Sequence, residues 1–330
     1  MRAAVLHTPG RPPTFTEHPE PVPGPGQSLV RVTAAPVVPL DLLCASGTSY
    51  FGRPVVPYVP GVQGVGVVEQ SQTVGIGSRV WFATSAGMKP CDGSLAELCA
   101  VADDDLVPLE TTVDNPLVAA LGLSAVAAWM ALSWRAGLQP GERVLVLGGG
   151  GAVGQAGIGA ARVLGARTVV AVARSVDGQQ RARDAGADAV VALHPDVDEL
   201  TAELASTTGG EVDVVLDPVF GTAATAASRV LAEGGRLVNL GGASGDEAVF
   251  SSAVLRSRSA SVLGYTNTSL TAVQRREALT AVLRHAESGG ISVAHESRPL
   301  GSVGEVWRSL AGGGTSSRLV LVPGPATRGP

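Results

Sequence analysis

Gly149, Gly151 and Gly154 fall on the spacing G-x-G-x-x-G within the run VLVLGGGGAVGQAG, with Val153 just ahead of the third glycine. Without Cβ atoms such a turn lets the backbone approach a pyrophosphate, and N–H groups at the start of a following helix meet its charge. About twenty residues on, where a dinucleotide site reads the adenosine ribose, stand Arg174 and Ser175, with Arg181 one helical turn later. An acid at that place accepts from the ribose hydroxyls of NAD(H). A guanidinium and a hydroxyl suit a 2′-phosphate, so the set points to NADPH. The competing reading has Asp177 turning back to the ribose while Arg174 stacks on the adenine. Gly241 and Gly242 end another apolar run, where bare backbone can meet a nicotinamide amide. Tyr265 and Asn267 follow the last such run, at the edge where ligands bind in doubly wound folds. Tyr50, Tyr58 and Tyr265 are the three tyrosines of the chain. Tyr50 lies in a Gly/Ser-rich loop and can donate to a carbonyl oxygen; its plainer reading is an ordinary loop aromatic.

A glycine motif alone is a weak signal, and its context decides. Residues 144–147 are short and apolar, as in a strand buried on both faces. Residues 152–164 are small and proline-free, which predicts a helix packed closely on a sheet and stopped by Gly165; residues 168–173 predict the next strand. Strand, turn, helix and strand in one window make a dinucleotide-binding βαβ unit, against the alternative of a glycine-rich turn without a ligand. Beyond it the alternation continues: helices over 179–185, 196–206 and 222–232, and strands over 189–193, 212–216, 236–240 and 261–264. Residues 1–121 have a β-rich texture broken by Pro and Gly clusters, as in a small barrel. A helix over 115–132, with Asp114 as its N-cap, leads into the glycine unit. After it come a helix over 271–288, a segment 291–300, a short helix over 303–310, a strand over 318–322 and a tail, 323–330, expected to be disordered.

The chain has 330 residues, enough for two domains, and 45% are hydrophobic. A net charge of −5 and the absence of any Lys/Arg run argue against nucleic acid or an anionic membrane as partner. No apolar segment of eighteen residues escapes Gly, Pro or charge, which argues against a membrane span. Three cysteines cannot form a disulfide framework, and the start MRAAVLHTPGRPP lacks a signal peptide's apolar stretch, so a cytoplasmic protein is expected.

PLDLLCASGT, VPGVQGVGVVE, GSLAELCAV, RAGLQPGERVLVLGGGGAVG, VDVVLDPVFG, LAEGGRLVNLGGASG and SRLVLVP follow one another in collinear order. In this order the chain resembles the medium-chain dehydrogenase/reductase superfamily and, within it, the zinc-independent quinone oxidoreductase branch. The resemblance implies a GroES-like catalytic domain from residues 1–121 and 266–330 and a Rossmann domain from 122–265, with the nucleotide in the cleft between them. It also implies a homodimer, paired through the strand over 261–264. Where zinc-dependent relatives place catalytic ligands this chain has Pro39, Val62 and Gln63, and only Cys91 and Cys99 lie where a structural zinc lobe needs four cysteines. Neither proline nor valine can ligate zinc, so no metal is expected. His285, near a helix end, is read as solvated or dipole-paired.

The remaining chemistry is hydride transfer from the nicotinamide to a small molecule whose developing oxyanion or enolate the protein must stabilise. The family's Asn-Pro-x-Asp motif reads Val38-Pro39-Leu40-Asp41, so Asp41 is retained, as an acid or as an organiser of backbone. A family arginine and a family threonine appear as Ala45 and Ala127, which implies a more apolar pocket. The leading expectation is an NADPH-dependent reductase of quinones or activated alkenes. The alternatives are an enoyl-thioester reductase, whose domains Asp41-Leu42-Leu43-Cys44-Ala45 also resembles but whose lysine is replaced here by Gly178, and a nucleotide-binding structural or regulatory protein that has lost turnover.

Overall fold

The computed structural model describes residues 1–313 and 317–324. The tail expected to be disordered lies, from residue 325 on, outside the described residues. Two compact units emerge, one of residues 1–122 and 295–330 and one of residues 123–294.

In the second unit six parallel strands lie in the spatial order Ala189–Ala192, Thr168–Ala173, Arg143–Leu147, Val212–Asp217, Leu231–Asn239, Ser261–Gly264. Numbered along the chain this is 3-2-1-4-5-6, the doubly wound order of a dinucleotide-binding fold, with its switch point between the first and fourth strands. The strands form because Val, Leu and Ala runs are buried on both faces: Leu145, Leu147, Val170, Val172, Val215 and Leu237 share one core with Leu200 and Leu204 of a covering helix. Two helix starts show local caps. Asp196 Oδ1 accepts from the N–H groups of Asp198 and Glu199. Thr271 and Gln274 close a reciprocal capping box ahead of the helix Ala272–Glu287. Gly165, at φ +90°, follows the helix Ala152–Val163 in the left-handed region that glycine tolerates.

Two expectations along this unit change. The helix expected over 222–232 spans only Gly221–Ser228, and Leu231 already pairs with Val212. The guanidinium of Arg258 accounts for the early stop, because it takes the carbonyls of Arg229 and Leu231 as hydrogen-bond acceptors. The unit also runs on to Ala294, beyond residue 265. Asn267 Nδ2 donates to Leu123 O at 3.0 Å, Ala294 N donates to Gln155 Oε1 at 2.8 Å, and His285 stacks on Trp129 with ring centroids 5.6 Å apart. These ties bind residues 266–294 to the parallel sheet's own helices.

The first unit is a mostly antiparallel sheet in the order His295–Pro299, Arg318–Val322, Gln27–Pro36, Gln63–Gln70, Arg79–Ala83, Leu106–Pro108, with Leu98–Ala102 also pairing on Gln27–Pro36. Chain ends meet in its core, where Val5 and Leu6 pack with Phe82, Val303, Trp307 and Leu321. Burying a side chain as large as Trp307 contributes roughly 2–3 kcal/mol. A helix not expected from the sequence, Pro39–Ser46, starts at a proline suited to a first turn. Asp114 Oδ1 accepts from Leu117 N at 2.9 Å, capping the helix that begins at Asn115. The stretch Asn115–Arg135 is long and apolar enough to cross a membrane by composition, and 72% of its most apolar window is buried in the protein, as in a core helix.

Candidate functional site

In the second unit the strand Arg143–Leu147 delivers the chain to Gly148, at φ +64°, and the turn is then fixed by its own backbone. Gly149 N donates to Val172 O at 2.8 Å, and Gly151 N to Gly148 O at 3.0 Å. A Cβ on Gly149 would lie 2.7 Å from Ala171 Cβ, and one on Gly154 would lie 2.3 Å from Gly148 O and 2.6 Å from Gly149 Cα. The carbonyl of Gly150 is turned into the protein, accepting from Gln155 Nε2 at 3.0 Å and Arg181 Nε at 2.9 Å. Gly151 precedes the helix Ala152–Val163, so Val153 and its neighbours offer first-turn N–H groups that have no partner within the helix. A turn that closes only without side chains, ahead of these N–H groups, fits a dinucleotide pyrophosphate.

At the adenosine end Ser175 Oγ accepts from Gly178 N at 3.1 Å, capping the helix Val176–Asp184. Arg174 is exposed and forms no hydrogen bond or ion pair among the described residues. Arg181, expected as a second positive charge for a phosphate, instead commits its Nε to the glycine turn. Gly178 is part of the same packing, since a Cβ on Gly150 would meet Gly178 Cα at 2.5 Å.

Beside the switch point a second turn follows the strand Val212–Asp217. Asp217 is buried, and burial pushes its carboxyl above the ordinary carboxylate range. Its Oδ1 accepts from Val219 N at 3.0 Å and Phe220 N at 2.7 Å. Asn239 Nδ2 reaches Asp217 Oδ2 at 3.2 Å and Gly241 O at 2.8 Å, tying this turn to the glycine pair Gly241-Gly242. Phe220 sits at φ 59°, ψ −152°, a region used almost only by glycine, where a side chain costs about 1–3 kcal/mol. Tyr265 and Asn267 come together: the phenol donates to Asn267 Oδ1 at 2.7 Å, and the amide in turn donates to Leu123 O.

Gln155, Asp217, Asn239 and Phe220 escape a reading of the sequence. Their readable signals are faint: a Gln one residue past the third glycine, and an Asp and an Asn ending two apolar runs.

In the first unit Asp41 is 2% exposed, and its two oxygens are spoken for. Oδ2 accepts from Val38 N at 2.8 Å and Oδ1 from Val62 N at 2.9 Å. Burial raises its pKa to about 6, opposed by the Val38 and Val62 N–H groups and by the charge of Arg318. Arg318 is lowered to about 10, again by burial, with Asp41 opposing. Its Nη1 donates to Val37 O at 3.3 Å. Pro39 opens the helix beside Asp41, and Gln63 Oε1 accepts from Trp81 Nε1 at 3.2 Å. Tyr50 is 78% exposed and lies against Phe51, with ring centroids 4.2 Å apart. Tyr58 is buried, and its hydroxyl has no hydrogen-bond partner among the described residues. No group of three or more His, Cys, Asp or Glu side chains among the described residues is placed to hold a metal ion.

A doubly wound parallel sheet with a glycine turn ahead of a helix, in a chain whose other unit is a mainly antiparallel sheet, has the architecture of a dinucleotide-binding protein. Two family profiles match: Alcohol dehydrogenase GroES-like domain over residues 24–111, and Zinc-binding dehydrogenase over residues 152–288. The Mus musculus quinone oxidoreductase is 31% identical over 228 residues, 67% of this chain and 66%, just under two thirds, of the mouse protein. The Thermus thermophilus quinone oxidoreductase, whose structure is known also as its complex with NADPH, is 30% identical, with a TM-score of 0.82 over 98% of this chain and 100% of that one. A phenolphthiocerol/phthiocerol polyketide synthase component of Mycobacterium tuberculosis is 29% identical over 303 residues, 89% of this chain and 13% of that protein. The chain belongs to the medium-chain dehydrogenase/reductase superfamily and is a quinone oxidoreductase-like oxidoreductase.

Proposed function

We propose that the protein is a zinc-independent, NADPH-dependent oxidoreductase that reduces a quinone or an activated alkene such as an enone or enal. The observation that carries this reading is the strand end at Arg174-Ser175, an exposed guanidinium beside a hydroxyl with no acid between them and the glycine turn. When bound, the cofactor supplies the hydride. Val153 and Gly154 meet its pyrophosphate with first-turn N–H groups, Gly149 and Gly151, whose own N–H groups go to Val172 O and Gly148 O, hold the turn that presents them, and Arg174 and Ser175 meet the 2′-phosphate. Arg181 holds the turn through Gly150 O and adds its charge nearby. Gly241 and Gly242 present backbone to the nicotinamide amide, and Tyr265 and Asn267 brace that end of the sheet. The relative solved with NADPH supports the same cofactor choice.

On the acceptor side, Tyr50 is the proposed proton donor to the developing oxyanion. Asp41 acts by holding the backbone of Val38 and Val62 in place. The residues at the positions of zinc ligands are otherwise employed: Val62 N–H goes to Asp41, and Gln63 is held by Trp81. An enoyl-thioester reductase is the second reading, favoured by the polyketide synthase relative.

Oxidation of NADPH by a panel of quinones, enones and enoyl thioesters, followed at the cofactor's absorbance, tests the proposal. Turnover on quinones or enones supports it, turnover confined to thioesters selects the second reading, and no turnover anywhere points to a binding protein. Stoichiometric zinc in protein purified without added metal would remove the zinc-independent part. Tyr50→Phe is expected to lower kcat about ten- to a thousandfold with cofactor affinity intact; an unchanged kcat leaves Tyr50 an ordinary loop aromatic. The strand Ser261–Gly264 ends the parallel sheet with Val262 exposed, an edge suited to pairing with a second copy, so a homodimer is proposed. Light scattering at micromolar concentration checks it, and a monomer mass rejects it. Three free cysteines, two of them buried, suit the reducing cytoplasm.

A further inference from the structure

Phe220 is one of two non-glycine residues with positive φ among the described residues, and it stands at the switch point of the parallel sheet. The turn it belongs to touches both glycine turns. Val219 Cγ1 lies 2.7 Å from where a Gly148 Cβ would be, and Pro218 O lies 2.7 Å from where a Gly241 Cβ would be. Residues 217–220 therefore form a wedge between the pyrophosphate turn and the Gly241-Gly242 turn. Four contacts keep the wedge in its strained form. Asp217 Oδ1 takes the N–H groups of Val219 and Phe220, and Ser244 N donates to Val219 O at 2.7 Å. The Phe220 ring meets Phe250 edge-on at 6.0 Å. Phe250 also ends the segment that leaves Gly242, itself pinned where Val249 N donates to Thr225 Oγ1 at 2.9 Å.

Glycine would adopt this backbone without strain. A phenylalanine held there at a cost must contribute through its ring, and the ring's partner lies on the segment that follows the nicotinamide-side glycines. We propose that Phe220 is a positioning residue for the nicotinamide half of the cofactor. Its pairing with Phe250 fixes the distance between the two glycine turns and so the specificity for the intact dinucleotide. This rests on the cofactor reading above and deepens it.

The test compares two ligands that share an adenosine end. Dissociation constants for NADPH and for adenosine 2′,5′-bisphosphate, which lacks the nicotinamide half, are measured on wild type, Phe220→Gly and Phe250→Leu. Loss of the aromatic pair is expected to weaken NADPH about three- to tenfold and to leave the bisphosphate unchanged. Equal losses for both ligands mean general loosening of the domain and overturn the proposal, as does NADPH affinity unchanged in both variants. Should Phe220→Gly fail to fold, Phe250→Leu carries the same comparison, because it leaves the wedge's own residues intact. A wild type that binds neither ligand overturns the cofactor reading itself, a failure visible before any substitution is made.

Discussion

The glycine turn of the parallel unit and the Asp41 knot of the other unit solve opposite problems. At the glycine turn side chains are absent so that the turn closes on itself and the next helix's first N–H groups stay open to a ligand; Gly149 and Gly154 have backbone or Cβ atoms where their own Cβ would be. At Asp41 the backbone is short of partners, and a buried carboxylate supplies them, accepting from Val38 and Val62 with Arg318 offsetting its charge. The first arrangement is insensitive to pH and intolerant of added atoms. The second tolerates no loss of atoms and responds to pH. A region's chemistry can thus be carried by what its residues lack or by one group they bury.

The largest effect is expected where the buried charge is removed. Asp41→Ala leaves two backbone donors and the Arg318 guanidinium without their carboxylate, which costs on the order of 3–5 kcal/mol in urea unfolding. A loss below about 1 kcal/mol would mean that water or a rearranged backbone replaces the carboxylate. The sign of the pH effect follows from the raised pKa. Between 3.8 and about 6 the folded protein holds a proton that the unfolded chain has released. The contribution of Asp41 to stability is therefore greatest at the acid end and falls as pH rises through that window, by about 3 kcal/mol. The difference between wild type and Asp41→Ala isolates it from other carboxylates, and a difference that grows with pH would contradict the assignment.

At the glycine turn an added methyl should do the harm. Gly154→Ala drives a Cβ onto the carbonyl of Gly148 and the Cα of Gly149, both backbone, so the turn must shift. The cost is about 3 kcal/mol, and it should appear as a roughly hundredfold weaker NADPH affinity, read by fluorescence titration. Unchanged affinity would show that the turn relaxes freely and does not set the binding geometry. The smallest change concerns a side chain beside the turn. Arg174→Ala removes one charge-assisted contact worth roughly 1.5–3 kcal/mol, so NADPH should bind about ten- to a hundredfold more weakly and NADH about as before. Equal losses for both cofactors, or a wild type that prefers NADH, would return Asp177 to the ribose.

The parallel unit was legible in the residues because its signals are local. A buried strand shows as an apolar run, a helix stop as Gly165, and the phosphate turn as glycines at fixed offsets. Each of these is decided within a few residues, so composition and spacing suffice. Where Arg258 ends the helix at Ser228, or Gln155 joins Ala294, the deciding partner lies far along the chain and leaves no periodic trace. The same holds at the sites. Gly149, Gly151 and Gly154 could be placed from spacing read together with the flanking strand and helix patterns, whereas the commitment of Arg181 to Gly150 O, the tie between Asp217 and Asn239 and the strain at Phe220 exist only once strands from distant segments lie side by side. Asp41 shows both halves of the matter. Its position in the motif marked it as important, but a carboxyl's role depends on how much water it keeps and which N–H groups face it. Those follow from packing against Val62, twenty-one residues away, and from the last strand, and only the folded chain decides them.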